Sequence, residues 1–216
     1  MPSPTVENYL KALFALTGEE GKVSASEVGK SLGVSTPSVN SMVRKLSERG
    51  WVDYVKYQPL RLTEQGRKAA AAVIRKHRLT EMFLAEKMGF GWEEVHAIAE
   101  QIEHVESPAF FARMDELLGF PTVDPHGSPI PSASGEVQQP DLRSVADCRI
   151  GERVTVAGLG HSSQEFLHYL NERDISLSTT LEILGRSAFD GSTQVRIEAK
   201  GAHTLSAIAS RGLLVR

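Results

Sequence analysis

Four of the seven histidines, His77, His96, His104 and His126, fall within residues 76–140, where eleven Asp/Glu outnumber four Lys/Arg. His77 and Glu81 stand at i,i+4 and share a face if their stretch is helical. His96, Glu100, Glu103 and His104 stand at i, i+4, i+7 and i+8, again on one face. Imidazole nitrogen and carboxylate oxygen are donors that first-row divalent cations accept. Carboxylates crowded on one stripe repel each other, and a divalent cation resolves the conflict. One such pair would be read as a solvated acidic face; two helices with ligand-spaced sets favour metal.

A second group of residues suits an anion. Residues 1–75 carry eleven Lys/Arg against seven Asp/Glu, whereas residues 141–216 carry nine of each. Ser35, Thr36, Pro37, Ser38, Asn40 and Ser41 cluster at the start of one predicted helix, with Arg44 and Lys45 a turn later. Short hydroxyl and amide side chains at a helix N-terminus bond phosphates and base edges. Lys56, Tyr57, Gln58 and Arg61 lie on a following hairpin that would reach the DNA backbone. Too few aromatics stand together for base stacking on single strands.

The elements that must position these residues are legible from periodicity. Val6, Tyr9, Leu10, Leu13, Phe14 and Leu16 predict a helix over 5–17, closed by Gly18. Ser24 and Glu27 have capping-box spacing for a second helix, ended by Gly33. Ser35-Thr36-Pro37 opens a third, with Val39, Met42, Val43 and Leu46 on its apolar face and Gly50 at its end. Short apolar runs at 51–55 and 60–62 predict a hairpin. Three short helices and a hairpin are the winged helix-turn-helix order. A long helix is predicted over 64–88, another over 92–105 and a third from Ser107-Pro108 to about Leu118. Residues 121–141, rich in Pro, Ser and Gly, read as a linker. Alternating strands after 142 and a short helix over 163–173 suggest a small SH3-like barrel. The expected organisation is a DNA-binding domain over 1–72, a helical metal-binding and dimerisation domain over 73–120, the linker, and the barrel over 142–216.

Composition narrows the class. The chain is 41% apolar and 24% charged, an ordinary globular mixture without a run long enough to span a bilayer. Its one cysteine, Cys148, forms no internal disulfide, and the N-terminus lacks a secretory pattern, so a cytoplasmic protein is expected. Val95, Ile98, Ile102, Phe110, Phe111, Met114, Leu117 and Leu118 exceed what three short helices can bury in one protomer, and predict a homodimer held by residues 92–118.

These segments resemble the diphtheria-toxin-repressor/manganese-transport-regulator (DtxR/MntR) family. The resemblance is carried by Arg75-Lys76-His77-Arg78-Leu79-Thr80-Glu81 and by His96-Ala97-Ile98-Ala99-Glu100-Gln101-Ile102-Glu103-His104-Val105. It extends to Val6-Glu7-Asn8-Tyr9-Leu10, Ser35-Thr36-Pro37-Ser38-Val39, Leu62-Thr63-Glu64-Gln65-Gly66 and Pro125-His126-Gly127-Ser128-Pro129-Ile130-Pro131. It covers most of 5–131 and implies a FeoA-type SH3-like domain beyond 142. What it implies is a homodimeric repressor of metal-homeostasis genes that binds palindromic double-stranded operator DNA, with two ions per subunit, Mn²⁺ or alternatively Fe²⁺. One site would take Asn8, Glu100, Glu103 and His104; the other His77, Glu81 and His96. Asp124 and His126 match linker ligands of some manganese-responsive members, and Glu165 is a candidate from the third domain. Lys11 replaces a carboxylate ligand of the short manganese members and removes it. His161, His168 and His203 have no such company.

Two other classes remain in view. A zinc hydrolase needs a motif such as His-Glu-x-x-His, which is absent; a di-iron bundle needs paired Glu-x-x-His, and Glu93-x-x-His96 is its one instance in the helical body. A winged-helix regulator of an organic ligand would bind DNA regardless of chelator. No membrane partner, organic substrate or catalytic residue is expected.

Overall fold

The computed structural model describes residues 2–17, 21–56, 58–198 and 200–216. Two compact units emerge: residues 1–80, 99–117 and 130–138 form the first, and 81–98, 118–129 and 139–216 the second.

In the first unit α1 (Pro4–Leu16), α2 (Ala25–Leu32) and α3 (Thr36–Glu48) precede a short antiparallel pair, β1 (Val52–Asp53) and β2 (Arg61–Leu62). The capping box forms as its spacing requires: Glu27 N–H donates to Ser24 Oγ, and Ser24 N–H donates to the Glu27 carboxylate. Gly33 ends α2 at φ 66°, a left-handed conformation that a side chain would strain, and so sets the turn into α3. Val6, Tyr9, Leu10 and Leu13 of α1 pack with Val28, Val39, Val43, Leu46, Val52, Leu60 and Leu62 into one core. The helix α4 (Glu64–Met88) leaves the wing through Gly66, where a Cβ would stand 1.9 Å from the Trp51 carbonyl oxygen. α6 (Pro108–Leu118) is fixed by the Arg75–Asp115 ion pair, and Arg75 Nη1 also donates to Pro131 O at 2.7 Å.

The second unit is built on a six-stranded antiparallel sheet: β3 (Arg143–Ser144), β4 (Arg153–Leu159), β5 (Thr180–Arg186), β6 (Thr193–Ile197), β7 (Gly201–Leu205) and β8 (Leu213–Val215), in the order β3-β8-β4-β5-β6-β7. Strands β4, β5 and β6 alternate buried with less buried residues, as one apolar face demands. Helix α7 (Gln164–Asn171) contributes Phe166, Leu167 and Leu170 to the core, and α8 (Ala207–Gly212) lies against β7 and β8. The sequence pattern predicted β4 to β7 and α7 but not β3, α8 or β8. These three are short, and β8 gains its place by pairing with β4 across more than fifty residues of sequence.

The helix α5 (Val95–Ile102) is shorter than predicted at both ends. Trp92 starts an irregular turn, and Glu103 and His104 lie in a turn after the helix rather than on its face. Residues 103–107 separate α5 from α6, and Ser107 caps α6 by accepting from Phe110 N–H.

Candidate metal centre

In the first unit the Glu103 carboxylate is completely buried. His77 Nδ1 stands 2.5 Å from its Oε2, and Lys11 Nζ donates to Oε1 and Oε2 at 2.9 and 2.7 Å. Burial alone would push this carboxyl's pKa up; the hydrogen bonds from His77 and Lys11 outweigh it and hold it below the ordinary value. An ionised carboxylate only accepts, so His77 presents its Nδ1–H. His104 Nδ1 lies 2.5 Å from Glu7 Oε2, while its Nε2 faces Glu103 Oε1 at 3.7 Å. Glu7 is itself buried and meets Lys76 Nζ at 3.5 Å. Glu100 is half exposed, with Oε1 4.0 Å from Lys11 Nζ.

The second unit holds another group. Glu81, Asp124 and His126 are all buried, with one ligand atom from each within 4.8 Å of the others. Asp124 shapes the loop: its Oδ1 accepts the backbone N–H of His126 and of Ser128 at 2.8 and 2.9 Å. The loop is pinned to β4 by the bond from Leu159 N–H to His126 O, and Gly127 sits so close that a Cβ would lie 2.4 Å from Ala157 O. His126 Nε2–H donates to the Trp92 carbonyl at 2.8 Å, and Nδ1 faces Glu81 and Asp124, each 3.9 Å away. Trp92 is held in turn by Asn171 of α7. His96 Nδ1 reaches Glu81 Oε1 at 3.2 Å. Two buried carboxylates and an imidazole in one place fit a divalent cation, the partner that such a set demands.

Three family models match consecutive segments of the chain. Residues 1–60 match the iron-dependent repressor N-terminal DNA-binding domain, 63–132 the iron-dependent repressor metal-binding and dimerisation domain, and 143–215 the FeoA domain. The HTH-type transcriptional regulator MntR of Geobacillus kaustophilus is 33% identical over 120 residues, 56% of this chain and 84% of the relative. The chain belongs to the DtxR/MntR family.

Among its relatives, the iron-dependent repressor IdeR of Mycobacterium tuberculosis is 39% identical over 127 residues, which are 59% of this chain and 55% of that protein. The solved structure of a manganese-dependent transcriptional repressor in complex with manganese superposes with a TM-score of 0.88 at 38% identity, covering 97% of this chain and 98% of the other.

Within this DtxR/MntR chain the residues expected as ligands are dispersed as follows. Glu103 and His104 meet at the turn after α5, and His77 joins Glu103 there. Asn8 is exposed on α1, and the neighbouring Glu7 is the α1 side chain that touches His104. Glu81, His96, Asp124 and His126 gather in the second unit. Glu165 is exposed in the first turn of α7, outside both described groups. Glu7 was missed by spacing because it stands alone on its helix; its signal was an acid beside the apolar stripe of Val6, Tyr9 and Leu10.

The residues expected to contact DNA lie on α3 and the loop between β1 and β2. Ser35 caps α3, accepting from Ser38 N–H, and Thr36, Pro37, Ser38, Ser41, Arg44 and Lys45 are exposed, with Asn40 half-buried. Lys56 is exposed on the wing loop, and Tyr57 lies outside the described residues.

Proposed function

We propose that this chain is a manganese-activated transcriptional repressor that binds palindromic operator DNA as a homodimer in the cytoplasm, controls metal-homeostasis genes, and holds two ions per subunit. The observation that carries the reading is the donor chemistry. The buried groups that gather at the two centres are carboxylates and imidazoles throughout, and the one thiol, Cys148, is buried in the core of the second unit. A carboxylate-rich set without thiolate suits the hard Mn²⁺, with selectivity resting on ligand type and metal availability rather than raw affinity, and Fe²⁺ is the alternative.

Glu103 and His104 would hold one ion with help from Glu100 and α1, where Asn8 or Glu7 is the nearest oxygen donor. Glu81, His96, Asp124 and His126 would hold the other, with His77 one turn before Glu81 on α4. The ion supplies positive charge that several carboxylates share. Its mechanical consequence follows from α1, whose Val6, Tyr9, Leu10 and Leu13 are part of the DNA-reading core. Tying α1 to the turn after α5 fixes the head against the dimerisation helices, so that two heads match one operator. Phe110 and Leu117 of α6 are exposed in the protomer and offer part of the dimer face, whereas Val95, Phe111 and Met114 are core. No described helix is long and apolar enough to cross a membrane.

The test is anaerobic fluorescence anisotropy on operator DNA with EDTA, then with Mn²⁺ or Fe²⁺ titrated separately. Mn²⁺ should restore binding that EDTA abolishes. Activation by low Fe²⁺ with no response to millimolar Mn²⁺ would overturn the metal assignment, and binding indifferent to EDTA would overturn the function.

A further inference from the structure

Lys11 occupies the place where a cation is needed. Its ammonium is bonded to both oxygens of Glu103, lies 3.5 Å from His77 Nδ1 and stands 4.0 Å from Glu100 Oε1. Glu103 has no exposure of its own, and a carboxylate in that position is costly unless paired and hydrogen-bonded. Lys11 meets that need from α1, the helix that the proposed ion would also tie to this turn. An ammonium and a divalent ion cannot use the same two oxygens, because each repels the other at contact distance. The lysine can leave: its side chain is 20% exposed, and its four-carbon stem can swing the charged head to water.

We propose that Lys11 is a built-in competitor for this centre: its ammonium neutralises Glu103 when metal is scarce, and a divalent ion must displace it. The proposal rests on Glu103 being a ligand, as read above. Two consequences have opposite signs. Without Lys11 the centre binds metal more tightly, because no resident charge is expelled. Without Lys11 the metal-free protein is less stable, because buried Glu103 loses the two hydrogen bonds that the ammonium donates. A residue that merely braced the fold would lower both; a residue that merely repelled metal would leave the metal-free stability unchanged.

The test uses the full chain with Lys11→Gln and Lys11→Arg. Mn²⁺ affinity is measured by calorimetry, and thermal unfolding is measured in EDTA. Lys11→Gln should bind Mn²⁺ about tenfold more tightly, the scale of one removed charge partly screened by solvent, and unfold at lower temperature in EDTA. Lys11→Arg should stay close to the unsubstituted chain in both. Should Lys11→Gln fail to fold, amine labelling read by mass spectrometry on the unsubstituted chain decides the matter: Lys11 should be protected in EDTA and become reactive when Mn²⁺ is added. Equal or weaker Mn²⁺ binding by a folded Lys11→Gln, or Lys11 reactivity that does not rise with Mn²⁺, overturns the proposal alone. An unsubstituted chain that takes up no Mn²⁺ overturns the reading of the centre and this proposal with it.

Discussion

Replacing Glu103 with Gln separates charge from shape at the most enclosed carboxylate of the first unit. The amide fills the same space and can still accept one hydrogen bond, so the core around the turn after α5 is not opened. What is lost is the charge that faces Lys11 at 2.7 and 2.9 Å and His77 at 2.5 Å. Breaking a buried ion pair on one side costs about 3–5 kcal/mol when the surviving charge is trapped. Lys11 is not trapped, since a fifth of its side chain reaches solvent, so the expected loss is nearer about 1–2 kcal/mol. Unfolding in EDTA should therefore shift by about 2–8 °C for a chain of this size. Metal binding should respond far more. A lost carboxylate ligand should weaken the ion at this centre at least about 100-fold, since even an outer partner is worth about 10–100-fold. The assay is Mn²⁺ calorimetry beside operator anisotropy, with circular dichroism to verify the fold. A folded Glu103→Gln chain that keeps its full Mn²⁺ affinity and metal-dependent DNA binding would refute the placement of the ion at Glu103.

Other outcomes follow from the same structure. Arg44 is exposed on α3, so Arg44→Ala should weaken operator binding about tenfold, with a salt dependence shallower by about one unit, while Mn²⁺ affinity stays unchanged; an unaltered operator affinity at matched salt would remove Arg44 from the interface. Gly66→Ala places a Cβ against the Trp51 carbonyl and should cost about 1–3 kcal/mol in denaturant unfolding; a neutral result would show that the α4 entry readily gives way. Asp190, in the turn between β5 and β6, is held down to about 2 by the Ser192 backbone N–H and the Ser187 and Ser192 side chains. Its folded value lies below its unfolded one, so its contribution is present above about pH 4 and fades as pH falls toward 2. Carbon-detected NMR titration should find it still ionised at pH 3, and a midpoint near 4 would contradict the turn geometry.

The sequence by itself determined the elements whose signals are local. Ser24 with Glu27, Gly33, Ser35 before Pro37 and the apolar stripe of Val39, Val43 and Leu46 dictate the helix-turn-helix because caps and periodicity act within a few residues. Ligand chemistry is local as well: histidines and acids at helical spacing point to metal. The tertiary structure decided which of them meet. Asp124 and His126, in a stretch that read as linker, reach Glu81 because the loop bonds to β4 and its Gly127 admits the close approach. His104 leaves the helical face because α5 stops at Ile102, and its imidazole meets Glu7. Lys11 read as a lost ligand; only the packing of α1 against the turn after α5 sets its charge on Glu103. Helix α8 and strand β8 likewise depend on partners far along the chain, where neither spacing nor composition carries a signal.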